Sequence, residues 1–285
     1  MRQDVIIVGA PRSGTNVLRD VLTGVEGVTS WPCDEINLIW RHGNRDFPSD
    51  ELRADHATPE VRQYLGAQFD RLARKQEAHT VVEKTCATSL RVGFARQVFP
   101  EAKYIFITRD GVDCAASATE RWHAPLDLRY TAAKARFVPA SDLPYYGLRF
   151  AADQLRRRRR SDGAVRTWWG PKPHDYRELM DQRPLDEICM IQWQRCVDEA
   201  QRGLAGLSGS QLFAVSYEQF VTDPVHTMRD LLEFLDLPQP MDLPSTVADV
   251  SSSSVGKGRQ KLSDERFTRL EALAGPTLRG LGYVG

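Results

Sequence analysis

The chain has 285 residues, of which 41% are hydrophobic and 27% charged, a balance typical of folded globular proteins that excludes a disordered or fibrous chain. Its 38 basic and 38 acidic residues cancel, so no overall positive field attracts nucleic acid, and any anion site must be local. No stretch reaches the roughly 18 uninterrupted apolar residues of a membrane-spanning helix, and we expect neither a nucleic-acid partner nor stable membrane insertion.

Strand patterns and helix patterns alternate along most of the chain. The first predicted strand covers residues 5–8, ends at Gly9 and precedes a predicted helix over 15–22. The other predicted strands are 80–83, 104–108 and 212–216. The other predicted helices are 59–75, 90–99, 186–204 and 224–235. This alternation predicts an α/β fold in which a mostly parallel central sheet is flanked by helices on both faces.

The segment between the first strand and the first helix has the composition of an anion-binding loop. Residues 9–16 read Gly-Ala-Pro-Arg-Ser-Gly-Thr-Asn, and the two glycines have the spacing of a nucleotide-binding P-loop. At a helix N-terminus such a loop offers backbone amides and the helix dipole to a phosphate. A nucleoside-triphosphate loop would continue with Lys and then Ser or Thr, whereas this chain has Thr15 and Asn16. Its cation is Arg12, within the loop, so a phosphate can be held without the terminal-phosphate lysine or the magnesium-binding hydroxyl.

A second basic pattern follows another predicted strand. Residues 99–117 predict a strand that ends at Arg109 and a helix that places Ser117 eight residues later. Both side chains can face the crevice beyond the carboxyl end of the sheet. Together with Pro-Arg-Ser-Gly-Thr at 11–15, this segment resembles the sulfotransferases that use 3′-phosphoadenosine-5′-phosphosulfate (PAPS) as donor.

Further matches extend this resemblance along nearly the whole chain. They are the segments 82–85, 216–224, 232–238, 255–259 and 262–263. The chain is most similar to the Golgi-type, tyrosylprotein and bacterial branches of the family. The resemblance implies a P-loop-like three-layer fold and a single sulfotransferase domain over 1–285. The region at about 122–183 lacks a match and is expected to be an inserted cap or acceptor-side region.

The resemblance also implies roles for individual residues. Those expected on the 5′-phosphosulfate are Arg12, Ser13, Gly14, Thr15 and Asn16. Those expected on the 3′-phosphate are Arg109 and Ser117, with Arg121 beside them and Tyr217 near the nucleotide. Those expected to close over the donor are Lys257, Gly258 and Arg259. Related enzymes often carry an aromatic residue where this chain has Arg259.

Sulfuryl transfer needs an in-line acceptor oxygen and stabilisation of the charge on the leaving phosphate. We expect Arg12 and the loop amides to stabilise the bridging oxygen and Lys84 to reach the sulfuryl oxygens. Glu35 is the expected base, because it follows the first helix where related enzymes place a catalytic carboxylate. Asp34 and His42 are the competing candidates. The donor is expected to leave as 3′,5′-ADP, and the histidines lack the spacing of a metal site.

The acceptor is not specified by any motif. The resemblance implies a hydroxyl on a carbohydrate or a bacterial metabolite, and a homo-oligomer is left open. The five arginines at 156–160 could recruit an anionic acceptor, but a solvated helix face is the favoured interpretation. Residues 251–261 are polar with two glycines and predict a long loop that could become ordered on a ligand.

Five cysteines, odd in number and widely spaced, favour reduced thiols over a disulfide framework or a zinc site. The beginning of the sequence lacks the pattern of a signal peptide. These two observations predict a cytoplasmic protein.

Two other functions stay open at the level of sequence. A P-loop small-molecule or nucleotide kinase would use Asp110 as its magnesium-binding carboxylate, although position 15 lacks the lysine that such an enzyme needs. A non-catalytic nucleotide-binding protein would keep the loop without the chemistry. Magnesium-independent turnover of PAPS distinguishes a sulfotransferase from the first, and nucleotide binding without transfer identifies the second.

Overall fold

The computed structural model describes residues 2–33, 35–123, 137, 139–148 and 168–284. Its strands are β1 (Gln3–Val8), β2 (Val28–Thr29), β3 (Thr80–Lys84), β4 (Lys103–Thr108) and β5 (Leu212–Ser216). They form one parallel sheet in the order β2-β3-β1-β4-β5. The four strands predicted from the sequence are confirmed within two residues at each end, while β2, with only two residues, was not predicted.

The helices lie between and after these strands. They are α1 (Thr15–Thr23), α2 (Asn37–Trp40), α3 (Pro59–Lys75), α4 (Val92–Val98), α5 (Gly111–His123), α6 (Tyr176–Gln182), α7 (Leu185–Leu204), α8 (Tyr217–Thr222), α9 (Pro224–Phe234), α10 (Leu243–Thr246), α11 (Lys257–Lys261) and α12 (Asp264–Gly280). Short 3₁₀ turns are Ala54–His56, Cys86–Leu90, Ala140–Asp142 and Ser252–Ser254. Among the described helices, none is long and apolar enough to span a bilayer.

Local signals fix where several helices begin. The Thr58 hydroxyl accepts the Val61 amide ahead of α3, and Asp223 caps α9 in the same way through the His226 amide. Proline is the first residue of both helices, where its missing N–H costs no hydrogen bond. The two helices therefore begin at the predicted residues, 59 and 224.

Helices cover both faces of the sheet and so bury the strands on both sides. On one face α1, α8 and α9 pack against the β1 side chains of Val5 and Ile7. On the other face α3, α4, α5, α7 and α12 pack against Ile6 and Val8. A strand buried on both faces must be apolar at successive positions, which is why β1 reads as a continuous apolar run. The predicted three-layer α/β fold is confirmed.

The segment 251–261 departs from its predicted form. It was expected to be a long loop, whereas it contains the turn Ser252–Ser254 and helix α11. Gly256, at a φ of 74°, turns the chain into α11, and the Asp113 carboxylate accepts the Gly256 and Gly258 amides. A contact with a residue far away in sequence supplies this order, so no local pattern could reveal it.

The predicted inserted region at about 122–183 is described only in part. Its final turns run from Trp168 into α6, where the Trp168 ring packs edge-on against Trp122 and Tyr176. The arginine run at 156–160 lies outside the described residues. Its role, and the single-domain boundaries, stay predictions.

Candidate active site

Four strands deliver polar side chains to one edge of the sheet. β1 leads into the loop that carries Arg12, β3 ends at Lys84, β4 is followed by Arg109, and β5 by Tyr217. Because all the strands are parallel, these carboxyl ends lie together. They line a cavity of about 680 Å³. The cavity lies where β1 is flanked by β3 and β4, the position at which open parallel sheets bind ligands.

Most of the residues predicted for the site line this cavity. Those that do are Arg12, Gly14, Thr15, Asn16, Glu35, Lys84, Arg109, Ser117, Arg121, Tyr217, Lys257 and Gly258. Ser13 points into the protein, with its hydroxyl 3.5 Å from the Cys114 sulfur. Arg259 also lies outside the lining, since its guanidinium pairs with Asp110 at 3.2 Å and lies over the Phe267 ring.

The loop between β1 and α1 is tightly wound. Arg12 and Gly14 both have left-handed backbones, with φ values of 69° and 87°. A Cβ added at Gly14 would lie 2.2 Å from the Tyr217 ring, so only glycine fits. Within the described part of the chain, no side chain caps α1 at its N-cap residue Gly14, which leaves the first amides and the positive end of the helix dipole directed at the cavity.

The two predicted arginine pockets are joined. Arg12 Nε donates to the Ser117 hydroxyl at 2.9 Å, and Arg109 donates to the backbone oxygen of Arg12 at 3.1 Å. The Arg109 guanidinium lies 4.4 Å from the centre of the Tyr217 ring. The two arginines were expected at opposite ends of the donor, and in the structure they belong to one connected network.

Among the described residues, two cavity side chains each carry a buried polar atom without a hydrogen-bond partner. They are Arg109 Nε and Asn16 Oδ1. A buried polar atom without a partner costs about 1–3 kcal/mol. A ligand could satisfy either atom only after the side chains that cover it have moved.

Lys84 and Glu35 face each other at one side of the cavity. Lys84 Nζ lies 3.6 Å from Glu35 Oε1, and the Cys86 amide donates to the same oxygen at 3.3 Å. The Lys84 side chain is 3% exposed and that of Glu35 is 27% exposed. A buried cation thus adjoins a carboxylate that solvent and ligand can still reach.

The segment that carries Glu35 is anchored on both sides. The Thr85 hydroxyl accepts the Ile36 amide at 3.2 Å and donates to Glu83. A few residues later, Trp40 is fully buried among phenylalanine rings. Glu35 is consequently held between strand β3 and the aromatic core.

The two competing base candidates are in different positions. His42 Nδ1 lies 2.9 Å from Asp142, and its ring packs against Tyr64, outside the cavity lining. Asp34 lies outside the described residues. Of the candidates that the structure describes, Glu35 is the one that lines the cavity.

Comparison with known proteins identifies the chain. Residues 4–165 and 154–241 match the model of the Sulfotransferase family. The chain belongs to the sulfotransferase family.

Several known proteins are similar to this sulfotransferase in sequence or in fold. An uncharacterized protein of Aquifex aeolicus is 23% identical over 298 residues, which cover 97% of this chain and 32% of that protein, so the chain spans about a third of that relative's length. A sulfotransferase from Alicyclobacillus acidocaldarius has a TM-score of 0.51 at 18% identity, over 99% of this chain and 94% of that one. A mouse sulfotransferase complexed with PAP has a TM-score of 0.52 at 13% identity, over 97% and 84%. At these identities the comparison of structures shows the shared fold.

Asp110, the magnesium ligand of the kinase alternative, does not line the cavity of this sulfotransferase. One carboxylate oxygen accepts the Val112 amide at 2.8 Å, and the other pairs with Arg259. Within the described part of the chain, no group of three His, Cys, Asp or Glu side chains could hold a metal ion.

Sequence reasoning missed two acidic residues, Asp113 in the cavity lining and Glu83 in strand β3. Glu83 is fully buried on β3, and burial raises the pKa of its carboxyl from 4.5 to about 7. Asp113 lies in the first turn of α5 and holds α11. The available signals were a glutamate inside an apolar strand and an aspartate one helical turn after Arg109.

The cysteines are all reduced and differ in burial. Four are buried, whereas Cys33, two residues before Glu35, is partly exposed. Burial raises the pKa of the Cys86 and Cys114 thiols to about 12 and that of Cys189 to about 11. These three side chains are therefore neutral thiols at pH 7.

Proposed function

We propose that this sulfotransferase uses PAPS as donor, transfers its sulfuryl group to a hydroxyl acceptor and releases 3′,5′-ADP. The observation that carries the proposal is the convergence of Arg12, Lys84 and Arg109, from three neighbouring strands, on one cavity beside Glu35. The presence of PAP, which is 3′,5′-ADP, in the mouse sulfotransferase supports the choice of donor.

The cavity residues fit such a donor. The amides of residues 14–16 and Arg12 would hold the 5′-phosphosulfate. Arg109 and Ser117, with Arg121 in the same lining, would hold the 3′-phosphate. Tyr217 would lie near the nucleotide and Lys257 would face it from α11.

Two residues that the family resemblance implicated play different parts in this proposal. Arg259 is paired with Asp110, and the Gly258 amide already donates to Asp113. Gly258 would therefore act through the close approach of its backbone, and the charge from α11 would come from Lys257.

Bound PAPS supplies an activated sulfur with a phosphate leaving group. We propose that the acceptor oxygen forms a bond to sulfur as the bond from sulfur to the 5′-phosphate oxygen breaks. The acceptor proton passes to Glu35, while Arg12 and the loop amides stabilise the charge that develops on the phosphate. Lys84, held 3.6 Å from Glu35, would neutralise the sulfuryl oxygens. Each positioned donor is worth roughly 2–4 kcal/mol of barrier.

The cavity residues near Glu35 favour an acceptor whose hydroxyl belongs to a ring-bearing molecule, as expected for a carbohydrate or a bacterial metabolite. Trp168, Trp169 and Gly170 line the cavity together with Glu35. The two tryptophan side chains offer flat apolar surface, against which sugar or aromatic rings pack well. Glu120 and Lys261, which pair with each other, add charge at the rim.

The test combines transfer of labelled sulfate from PAPS into cell extract with the variant Glu35→Gln. We expect Glu35→Gln to lower turnover by roughly 10²–10⁴-fold, the usual contribution of a general base, with unchanged calorimetric affinity for 3′,5′-ADP. The matched control is Glu26→Gln, at an exposed position. Full turnover in Glu35→Gln would remove Glu35 as the base, and absence of heat with 3′,5′-ADP in the unsubstituted protein would remove the donor assignment.

A further inference from the structure

Asp113 is a buried carboxylate whose two oxygens both bind a segment distant in sequence. Its side chain is 1% exposed and lies one helical turn after Arg109. Oδ2 accepts the Gly256 amide at 2.7 Å, and Oδ1 accepts the Gly258 amide at 2.6 Å. Arg109 Nη2 lies 3.5 Å from Oδ2. One carboxylate therefore connects α5, α11 and the predicted 3′-phosphate arginine.

Helices α5 and α11 approach each other closely at Gly258. A Cβ added at Gly258 would lie 2.7 Å from Asp113 Cα and 2.7 Å from the Val112 backbone oxygen. Neither neighbour is the end of a flexible side chain, so any larger residue at position 258 must push α11 away from α5. Gly258 and Asp113 thus form one joint, made by a backbone contact and two hydrogen bonds.

This joint determines what faces the cavity. Just before it, the Ser254 backbone oxygen accepts from Arg109 at 2.6 Å, and the Ser254 hydroxyl lies 2.6 Å from the Tyr217 hydroxyl. Within it, Lys257 lines the cavity. Release of the joint would separate Arg109 from the Ser254 backbone oxygen and move Lys257.

We infer that Asp113 is a positioning residue for the donor: its carboxylate holds α11 against α5, so that Arg109 and Lys257 are both set for the 3′-phosphate. The inference rests on the proposed function. Hydrogen bonds to a carboxylate are stronger than those to a neutral acceptor, and Asp113 accepts two of them from backbone amides. Loss of this buried carboxylate would leave the Arg109 guanidinium without its charge partner and the two amides without a charged acceptor.

A different role for the same carboxylate makes the opposite prediction. If Asp113 occupied an anion site that the donor phosphate must take over, its removal would tighten nucleotide binding. The closeness of Gly258 to the Asp113 backbone favours a permanent joint, because the two segments touch through atoms that a rotation of the carboxylate does not move.

The experiment measures calorimetric binding of 3′,5′-ADP and of 5′-AMP, which lacks the 3′-phosphate, to Asp113→Asn and Gly258→Ala. The control is Gly280→Ala, where an added Cβ meets nothing within 4 Å. We expect both joint variants to bind 3′,5′-ADP roughly tenfold or more weakly, with 5′-AMP affinity within about twofold of the unsubstituted protein. The control should match the unsubstituted protein. Unchanged or tighter 3′,5′-ADP binding, or equal weakening of both nucleotides, would overturn the inference.

A second measurement separates this inference from the proposed function. Trypsin can cut after Lys257, Arg259 and Lys261, and we expect faster cleavage there in both joint variants than in Gly280→Ala, without nucleotide. If the unsubstituted protein binds no 3′,5′-ADP, the proposed function fails and cleavage still decides whether Asp113 holds α11. Cleavage as slow as in the control would refute that role. If Asp113→Asn does not fold, Gly258→Ala carries both measurements.

Discussion

Gly14 is required by both its backbone conformation and its packing in the loop that lines the cavity. Its left-handed φ of 87° follows a second left-handed residue, Arg12, and the Tyr217 ring occupies the space where a side chain would lie. The strain of a non-glycine residue in this region is of the order of 1–3 kcal/mol. The cost at Arg12 is offset by its contacts with Ser117 and Arg109.

Gly14→Ala should therefore impair the site more than a typical glycine substitution. The added methyl must displace Tyr217 and with it the surface beneath Arg109. We expect a loss of roughly 1–3 kcal/mol in the free energy of unfolding and weaker binding of 3′,5′-ADP. Chemical denaturation and calorimetry check the two effects. Gly66→Ala, in α3 with open space around it, is the control, and equal behaviour of the two variants would contradict the packing argument.

The sequence could indicate the site because its cations follow strands. Arg12, Lys84 and Arg109 each stand at the carboxyl end of an apolar run, and the geometry of a parallel sheet then brings them together. Arg259 was assigned from the family pattern, and in the fold Asp110 binds it instead. Asp113 could not be assigned, because its partners are two amides 143 and 145 residues away.

At the scale of elements, strand β3 ends with two buried charged residues, Glu83 and Lys84. The Glu83 side chain is buried, and its carboxyl accepts the Thr85 hydroxyl. Because burial raises its carboxyl pKa from 4.5 to about 7, the folded protein retains the proton at pH values where the unfolded chain has lost it. The contribution of Glu83 to stability is thus fully present below about pH 4.5 and declines up to about pH 7.

Glu83→Gln should flatten this part of the stability profile. Urea unfolding at pH 5, 6 and 7 should show a smaller decline in the free energy of unfolding for the variant than for the unsubstituted protein, because glutamine does not titrate. Glu26→Gln serves as the exposed comparison. Parallel profiles for Glu83→Gln and the unsubstituted protein would show that the carboxyl of Glu83 titrates in its ordinary range.

Elements differed in how well the sequence specified them. Helices with proline and a capping residue at their start, such as α3 and α9, began where predicted. The two-residue β2 carries too little pattern to stand out, and α11 depends on Asp113. Long periodic elements are therefore readable, while short ones that depend on tertiary contacts are not.

At the scale of the whole molecule, the cavity lining combines residues that are far apart in the sequence. The loop after β1 supplies Arg12, and α11 supplies Lys257. A ligand that contacts both must stabilise the folded chain as a unit, since the unfolded chain offers no such site.

Saturating 3′,5′-ADP should accordingly raise the thermal unfolding midpoint. At a ligand concentration about 100-fold above the dissociation constant, the expected stabilisation is about 2.7 kcal/mol. Differential scanning fluorimetry with Arg109→Ala as the comparison checks it, since that variant should lose most of the shift. A shift of equal size in Arg109→Ala would contradict the assignment of the 3′-phosphate.

The uneven burial of the cysteines makes this protein convenient for spectroscopy. Cys33 is the partly exposed member of the set and lies two residues from Glu35, whereas the other four cysteines are buried. A maleimide dye would react there and spare the rest, because neutral buried thiols are poor nucleophiles. The fluorophore would lie two residues from Glu35, so it could report nucleotide binding in real time without knowledge of the acceptor.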